Sequence, residues 1–67
     1  MVVTEYKGYR IETSETAGKW RASISRSDSL DIRVGGGRYK FFRTGENPTE
    51  REAMERAHKL IDTHAIV

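Results

Sequence analysis

A chain of 67 residues with a net charge of +2 is long enough for one domain, which we predict to span residues 1–67. A domain of this size buries only about 60% of the surface that its unfolded chain exposes, so its core is too thin for a deep substrate pocket. Because cysteine is absent, disulfides, thiolate-held zinc and thiol nucleophiles are excluded. The first charged residue is already Glu5, and the N-terminal segment has no run of seven or more apolar residues. We therefore expect neither a secretory signal nor a membrane span, and a cytoplasmic protein.

Polar and apolar residues alternate in two segments near the start of the chain. The first segment spans about residues 5–13 and has the period of a half-buried strand. The alternation stops around Gly18, a residue suited to the positive φ of a turn, and it resumes over residues 19–26. We therefore predict a hairpin made of these two strands.

The middle of the chain allows two interpretations. Residues 29–34 alternate like a strand, three glycines follow at 35–37, and residues 38–43 have strand character again. Either the two segments form a second hairpin with a glycine turn, or residues 29–37 form an irregular extended loop. We favour a strand at 29–34, so the predicted sheet has three strands and a fourth if that segment joins it.

The clearest predicted element is an amphipathic helix that begins after Pro48. Thr49 and Glu52 match a capping box, in which the Thr49 hydroxyl accepts a hydrogen bond from the Glu52 amide. Helical spacing then places one set of residues on a single face: Ala53, Ala57, Leu60, Ile61 and His64. We predict an α+β fold in which an antiparallel β-meander of three or four strands, over roughly residues 4–43, is followed by one C-terminal helix packed on one face.

Basic residues are concentrated in the predicted sheet. Residues 19–43 contain seven basic and two acidic residues, whereas three basic and four acidic residues follow from residue 48 onward. A basic strand surface can attract phosphate groups, although a solvated surface is the commoner role of such residues. We predict a non-enzymatic binding module whose partner is DNA or RNA. The candidate nucleic-acid-binding residues are Arg10, Lys19, Trp20, Arg21, Arg38 and Lys40.

Two groups of aromatic residues have alternative interpretations. Trp20 could stack on a base, but its alternation with apolar residues favours a place in the core beneath the helix. Tyr39, Phe41 and Phe42 lie among basic residues, as in RNA-binding sheets, but the glycines of the ribonucleoprotein motif are missing. A strand with one buried aromatic face and basic residues in solvent is the favoured interpretation.

No catalytic or metal-binding pattern is present in the sequence. The three glycines are not followed by a G-K-[ST] motif or directly by a helix, so a phosphate cradle is not indicated. His58 and His64 are about 240° apart around a helix and cannot share a metal ion. We therefore predict that the protein is not an enzyme and uses no metal or other cofactor.

The alternative function is a protein-interaction or homodimerising domain. An exposed sheet edge, formed by residues 5–13 or 38–43, could accept a strand from a protein partner or from a second copy. Apolar residues at both ends of the chain could add a self-association patch: Met1, Val2, Val3, Ile66 and Val67. No membrane partner is expected.

The order of the elements resembles that of known DNA-binding domains. Residues 6–10 read Y-K-G-Y-R, residues 18–24 read G-K-W-R-A-S-I, and residues 49–53 read T-x-x-E-A at the start of the helix. With a third strand between the last two, the chain resembles the β-β-β-α plan of the AP2 and integrase N-terminal DNA-binding domains. It is also similar to small bacterial proteins of unknown function with the same strand order.

The resemblance to AP2 domains implies a sheet that enters the major groove of DNA. The contacts that it implies on this chain would come from Arg10, Lys19, Trp20 and Arg21. The chain departs from the AP2 pattern because Glu12 and Glu15, which would repel phosphate, follow Arg10. The segments 28–37 and 44–48 are also longer than the pattern allows.

Overall fold

The computed structural model describes residues 3–67 and contains two antiparallel sheets and one helix. The elements in chain order are β1 (Val3–Tyr6), β2 (Tyr9–Thr16), β3 (Lys19–Arg26), β4 (Ile32–Val34), β5 (Gly37–Tyr39), β6 (Phe42–Arg43) and α1 (Glu50–Asp62). The main sheet has the order β1-β2-β3-β6, and β4 and β5 form a second, smaller sheet. The predicted α+β fold, with an antiparallel sheet followed by one C-terminal helix, is confirmed.

The predicted strand over residues 5–13 is wrong in its bounds, because a turn divides this segment into β1 and β2. Tyr6 lies opposite Tyr9, so the turn has only Lys7 and Gly8, and both have positive φ (49° and 85°). Positive φ at both loop positions defines the type I′ turn, whose twist matches that of the flanking strands. Polar and apolar residues alternate on both sides of this two-residue turn, so the sequence pattern does not reveal the turn.

The segment 29–43 forms a hairpin, but this hairpin does not extend the main sheet. The strand predicted at 29–34 is limited to β4, which pairs with β5 across the turn formed by Gly35 and Gly36. The strand predicted at 38–43 is interrupted between β5 and β6. Because β5 pairs with β4 whereas β6 pairs with β3, the chain changes sheets at residues 40–41.

The helix α1 packs on one face of β2 and β3. Thr49 caps the helix as predicted, and its Oγ1 accepts a hydrogen bond from the Glu52 amide at 3.2 Å. The Thr13 hydroxyl donates to the Glu50 carboxylate at 2.9 Å and joins the sheet to the first helical turn. The buried core is made of Ile11, Ala22, Ile24, Ile32, Ala53, Ala57, Ile61 and Ile66.

The prediction that His64 lies on the core face of the helix is wrong. The helix ends at Asp62, and His64 follows with a positive φ of 59° and an exposed side chain. The chain then returns toward β4, where Arg33 and Val67 exchange two backbone hydrogen bonds of 2.8 and 3.0 Å. This return buries Ile66 in the core. Within residues 3–67, no helix has the length and hydrophobicity needed to cross a membrane.

Candidate nucleic-acid interface

The face of the main sheet opposite to α1 carries mostly polar side chains, and we call it the outer face. Residues on β2 and β3 that alternate with the buried Ile11, Ala22 and Ile24 point to this face. Its side chains, taken with those of β1 and β6 in register, are Val3, Glu5, Arg10, Glu12, Ser14, Thr16, Lys19, Arg21, Ser23, Ser25 and Arg43. The outer face is the sheet surface on which the sequence places the candidate phosphate contacts.

The candidate residues from β2 and β3 do not all share this face. Arg10, Lys19 and Arg21 point to the outer face. Trp20 points to the helix-covered side and is half-buried against the core, as the alternation of apolar residues favours. Its backbone also pairs with Asn47 through hydrogen bonds of 2.7 and 2.8 Å. Trp20 and Arg21 therefore cannot contact the same nucleotide from one surface of the sheet.

Acidic neighbours compensate much of the positive charge of the outer face. Arg10 forms an ion pair with Glu12 at 3.1 Å, and Arg21 approaches Glu46 at 3.7 Å. Glu5 adds a carboxylate directly opposite Arg10 on β1. The centre of the outer face is consequently close to neutral, in spite of the arginines that the sequence places there.

A stronger concentration of positive charge lies where the main sheet meets the β4–β5 hairpin. Two adjoining concavities share the lining residues Arg26, Ser29, Leu30 and Lys40. One of them extends to Arg10 on the outer face, and the other extends to the hairpin. We call the combined depression the basic groove. Its charged lining residues are Arg10, Arg26, Arg33, Arg38 and Lys40, against the two carboxylates of Glu5 and Asp31.

The basic groove brings together only part of the predicted site. Arg10, Arg38 and Lys40 line it, whereas Lys19 and Arg21 belong to the far end of the outer face. Sequence reasoning missed Arg26 and Arg33 as members of the site. The signal for Arg33 was present, because a turn at Gly35 and Gly36 places residue 33 opposite residue 38.

The hairpin end of the groove carries two arginines that face each other. Arg33 and Arg38 are direct partners in the β4–β5 register, and both are exposed. Like charges in directly opposite positions of two strands destabilise the pair. Among the ion pairs within residues 3–67, none involves either arginine. Positive charge at this end of the groove is therefore uncompensated.

The remaining cations of the groove have acidic partners. Arg26 binds Asp28 through two hydrogen bonds of 3.0 and 2.7 Å, and these bonds lower the pKa of the Asp28 carboxyl below its usual value. Lys40 approaches Asp31 at 3.3 Å, with a side chain that is mostly exposed. The exposed ion pair of Lys40 is weak, so Lys40 can exchange Asp31 for a phosphate at small cost, whereas the bidentate geometry holds Arg26 more firmly to Asp28.

Two other kinds of site lack comparable support. A concavity of about 860 Å³ lies between α1 and β6, but Glu52, Glu55, Arg56 and Lys59 line it with charges of both signs. Within the described part of the chain, no group of three or more histidine, aspartate or glutamate side chains could hold a metal ion. The basic groove is therefore the surface with a clear preference for one kind of ligand, an anion.

Of the two sheet edges predicted for a protein partner, the one at residues 38–43 includes β6, which is an edge strand of the main sheet, whereas the one at residues 5–13 is mostly wrong. The strand β2 lies between β1 and β3, so most of residues 5–13 is not an edge, and β1 takes that place. Of the predicted apolar patch, Val3 and Val67 are exposed, whereas Ile66 is buried and cannot contribute. Met1 and Val2 lie outside the described residues.

Comparison with protein-family models, with curated proteins and with solved structures finds no significant match for this chain.

Proposed function

We propose that the protein binds nucleic acid through the basic groove, with Arg33 and Arg38 as the principal phosphate contacts. One observation carries this proposal: the two arginines are direct cross-strand partners without an acidic partner in residues 3–67. A phosphate between them would relieve their repulsion. The planar guanidinium group, with its five donors, suits the oxygen atoms of a phosphate.

The length of the groove favours a polyanion over a single phosphate. Arg26 and Lys40 line its middle, and Arg10 lies at the end away from the hairpin. Cations spread along a depression match the repeated charges of a nucleic-acid backbone, which supplies most of the affinity of such complexes. The resemblance to AP2 domains, in which a sheet contacts DNA, points to the same class of partner, although only Arg10 of the contacts that it implies lines the groove.

A double substitution tests the proposal. Arg33→Gln with Arg38→Gln removes two charges from the hairpin end, and fluorescence anisotropy with a labelled oligonucleotide measures the affinity over a series of salt concentrations. We expect weaker binding at low salt. The dependence of log affinity on log salt should become less steep by about 0.7 to 0.9, which corresponds to the loss of the one phosphate that the two arginines share.

The matched control is Arg51→Gln with Arg56→Gln on the exposed surface of α1, which removes the same charge far from the groove. The control should keep the salt slope of the unsubstituted protein. Equal losses in the two double variants would mean that only net charge matters, and the groove would then have no specific role. No binding by the unsubstituted protein at about 50 mM salt would refute nucleic-acid binding altogether.

A further inference from the structure

We infer that the nucleic acid is single-stranded and that one of its bases stacks on the ring of Phe41; this rests on the function proposed above. Phe41 and Phe42 are adjacent but face opposite ways. Phe42 lies opposite Ile24 and packs against the core, whereas half of the Phe41 surface (50%) is exposed. The Arg43 guanidinium lies 5.6 Å from the centroid of the Phe41 ring, which places this ring on the outer face.

The outer face leaves space beside this ring. Glu5, Arg10 and Ser25 form one row across β1, β2 and β3. Phe41 directly precedes Phe42, the residue opposite Ile24, so alternation along the chain places Phe41 next to Ser25 at the end of this row. Serine is the smallest side chain in the row, so Ser25 leaves a depression in the sheet surface between Arg10 and Phe41. Because neighbouring strands are about 4.8 Å apart, Arg10 and Phe41 are separated by roughly 10 Å, wide enough for a flat base between them.

The same region adjoins the phosphate contacts. Lys40 precedes Phe41 in the chain and lines both concavities of the basic groove. Phe41 itself lines neither concavity, but it directly follows Lys40, so we expect a strand whose phosphates lie in the groove to reach the Phe41 ring. Arg43, which already contacts this ring, can reach the next phosphate or stack on the base itself.

The exposed ring distinguishes single strands from duplexes. A phenylalanine side chain has no hydrogen-bonding group, so it can neither bind a phosphate nor form a hydrogen bond with a base edge. It can offer its face to a base, and an unpaired base presents its own face without the cost of unstacking a duplex step. Stacking on aromatic side chains beside cations is the general mode by which proteins hold single strands.

The test compares Phe41→Leu with Tyr39→Leu, because Tyr39 is equally exposed (50%) but lies on β5 opposite Ile32, on the face of the hairpin away from Arg33 and Arg38. Each variant is titrated with oligo-dT of about 15 nucleotides and with an abasic oligonucleotide of the same length, which keeps the phosphates and lacks the bases. We expect Phe41→Leu to weaken the binding of oligo-dT by about 5- to 150-fold and to leave abasic binding unchanged. Tyr39→Leu should change neither affinity, and Phe41→Trp should restore stacking.

Other outcomes overturn the inference in distinguishable ways. If the unsubstituted protein binds a duplex of equal charge as tightly as oligo-dT, or if Phe41→Leu has no effect, base stacking is refuted while nucleic-acid binding stands. Equal weakening of the dT and abasic complexes would show that Phe41 acts on the shape of the groove. If none of the oligonucleotides binds, the proposed function fails and the inference fails with it.

Discussion

Asp62 is the residue with the most polar contacts between the first hairpin and the end of the helix. Its two carboxylate oxygens accept hydrogen bonds from the Tyr6 hydroxyl at 2.8 and 3.0 Å, and Lys7 Nζ lies 2.7 Å from one of them. The Tyr6 ring also stacks on His58, with 4.1 Å between ring centroids. The hydrogen bonds from Lys7 and Tyr6 lower the pKa of the Asp62 carboxyl below its ordinary value.

A pH-dependent stability difference follows at this residue. Because the folded-state pKa of Asp62 is lower than its ordinary 3.8, its contribution to stability is present above that value and is lost as the pH falls below it. Asp62→Asn should therefore destabilise the protein at about pH 6, and the difference from the unsubstituted protein should shrink at about pH 2.5. Urea midpoints at both pH values measure it. A difference independent of pH would show that the Asp62 charge contributes nothing.

At the scale of elements, small residues bring the helix close to the sheet. Ala53 and Ala57 are fully buried on the face of α1 that lies against β2 and β3, whereas Ile61 supplies the bulk at the end of this face. Leu60 is only half-buried, because it lies toward the concavity between α1 and β6. The attachment of the helix therefore depends most on Ile61.

Three substitutions on α1 test this packing. Ile61→Ala should lower the free energy of unfolding by about 2 to 5 kcal/mol, because it deletes buried methyl groups and leaves a cavity. Leu60→Ala should cost less, since its side chain is already in partial contact with water. Lys59→Ala changes an exposed position and should cost less than about 1 kcal/mol. Urea midpoints give the ranking, and three equal midpoints would mean that α1 is not docked as described.

At the scale of the whole molecule, the C-terminal residues connect the hairpin to the core. The amides of Ala65 and Ile66 donate to the Leu60 carbonyl at 3.0 and 3.4 Å, which turns the chain back after the helix. Ile66 is 1% exposed and pairs with Val34 on β4. The β4–β5 hairpin, which carries Arg33, is thus held in place by the C-terminal residues Ile66 and Val67.

Hydrogen exchange can measure this connection. Ile66→Ala should lower global stability by about 2 to 5 kcal/mol, and we expect an additional loss of protection at the Arg33 amide, which donates to the Val67 carbonyl at 2.8 Å. The control is Val67→Ala, whose side chain is exposed and whose backbone pairing does not require it. If Ile66→Ala leaves the protection of the Arg33 amide unchanged, the hairpin is held by other contacts.

The sequence by itself determined the features that depend on near neighbours in the chain. The N-cap at Thr49, the burial of Ala53, Ala57 and Ile61 on one face of α1 and the alternation on β2 and β3 follow from local sequence patterns, and the structure confirms them. The basic character of the sheet region was equally visible from composition. Local patterns also located Gly35 and Gly36 between two segments of strand character.

Only the tertiary structure decided which strands are neighbours. Alternation shows that a segment is extended, but it does not show which strand it pairs with or in what register. The pairing of β6 with β3 directs Phe42 to the core, so that Phe41 beside it faces outward with Arg43 over its ring. The pairing of β4 with β5 sets Arg33 against Arg38, and the register of β3 with β2 turns Trp20 away from Arg10. These pairings depend on contacts between residues far apart in the chain, and for that reason the basic groove could not be predicted from the sequence.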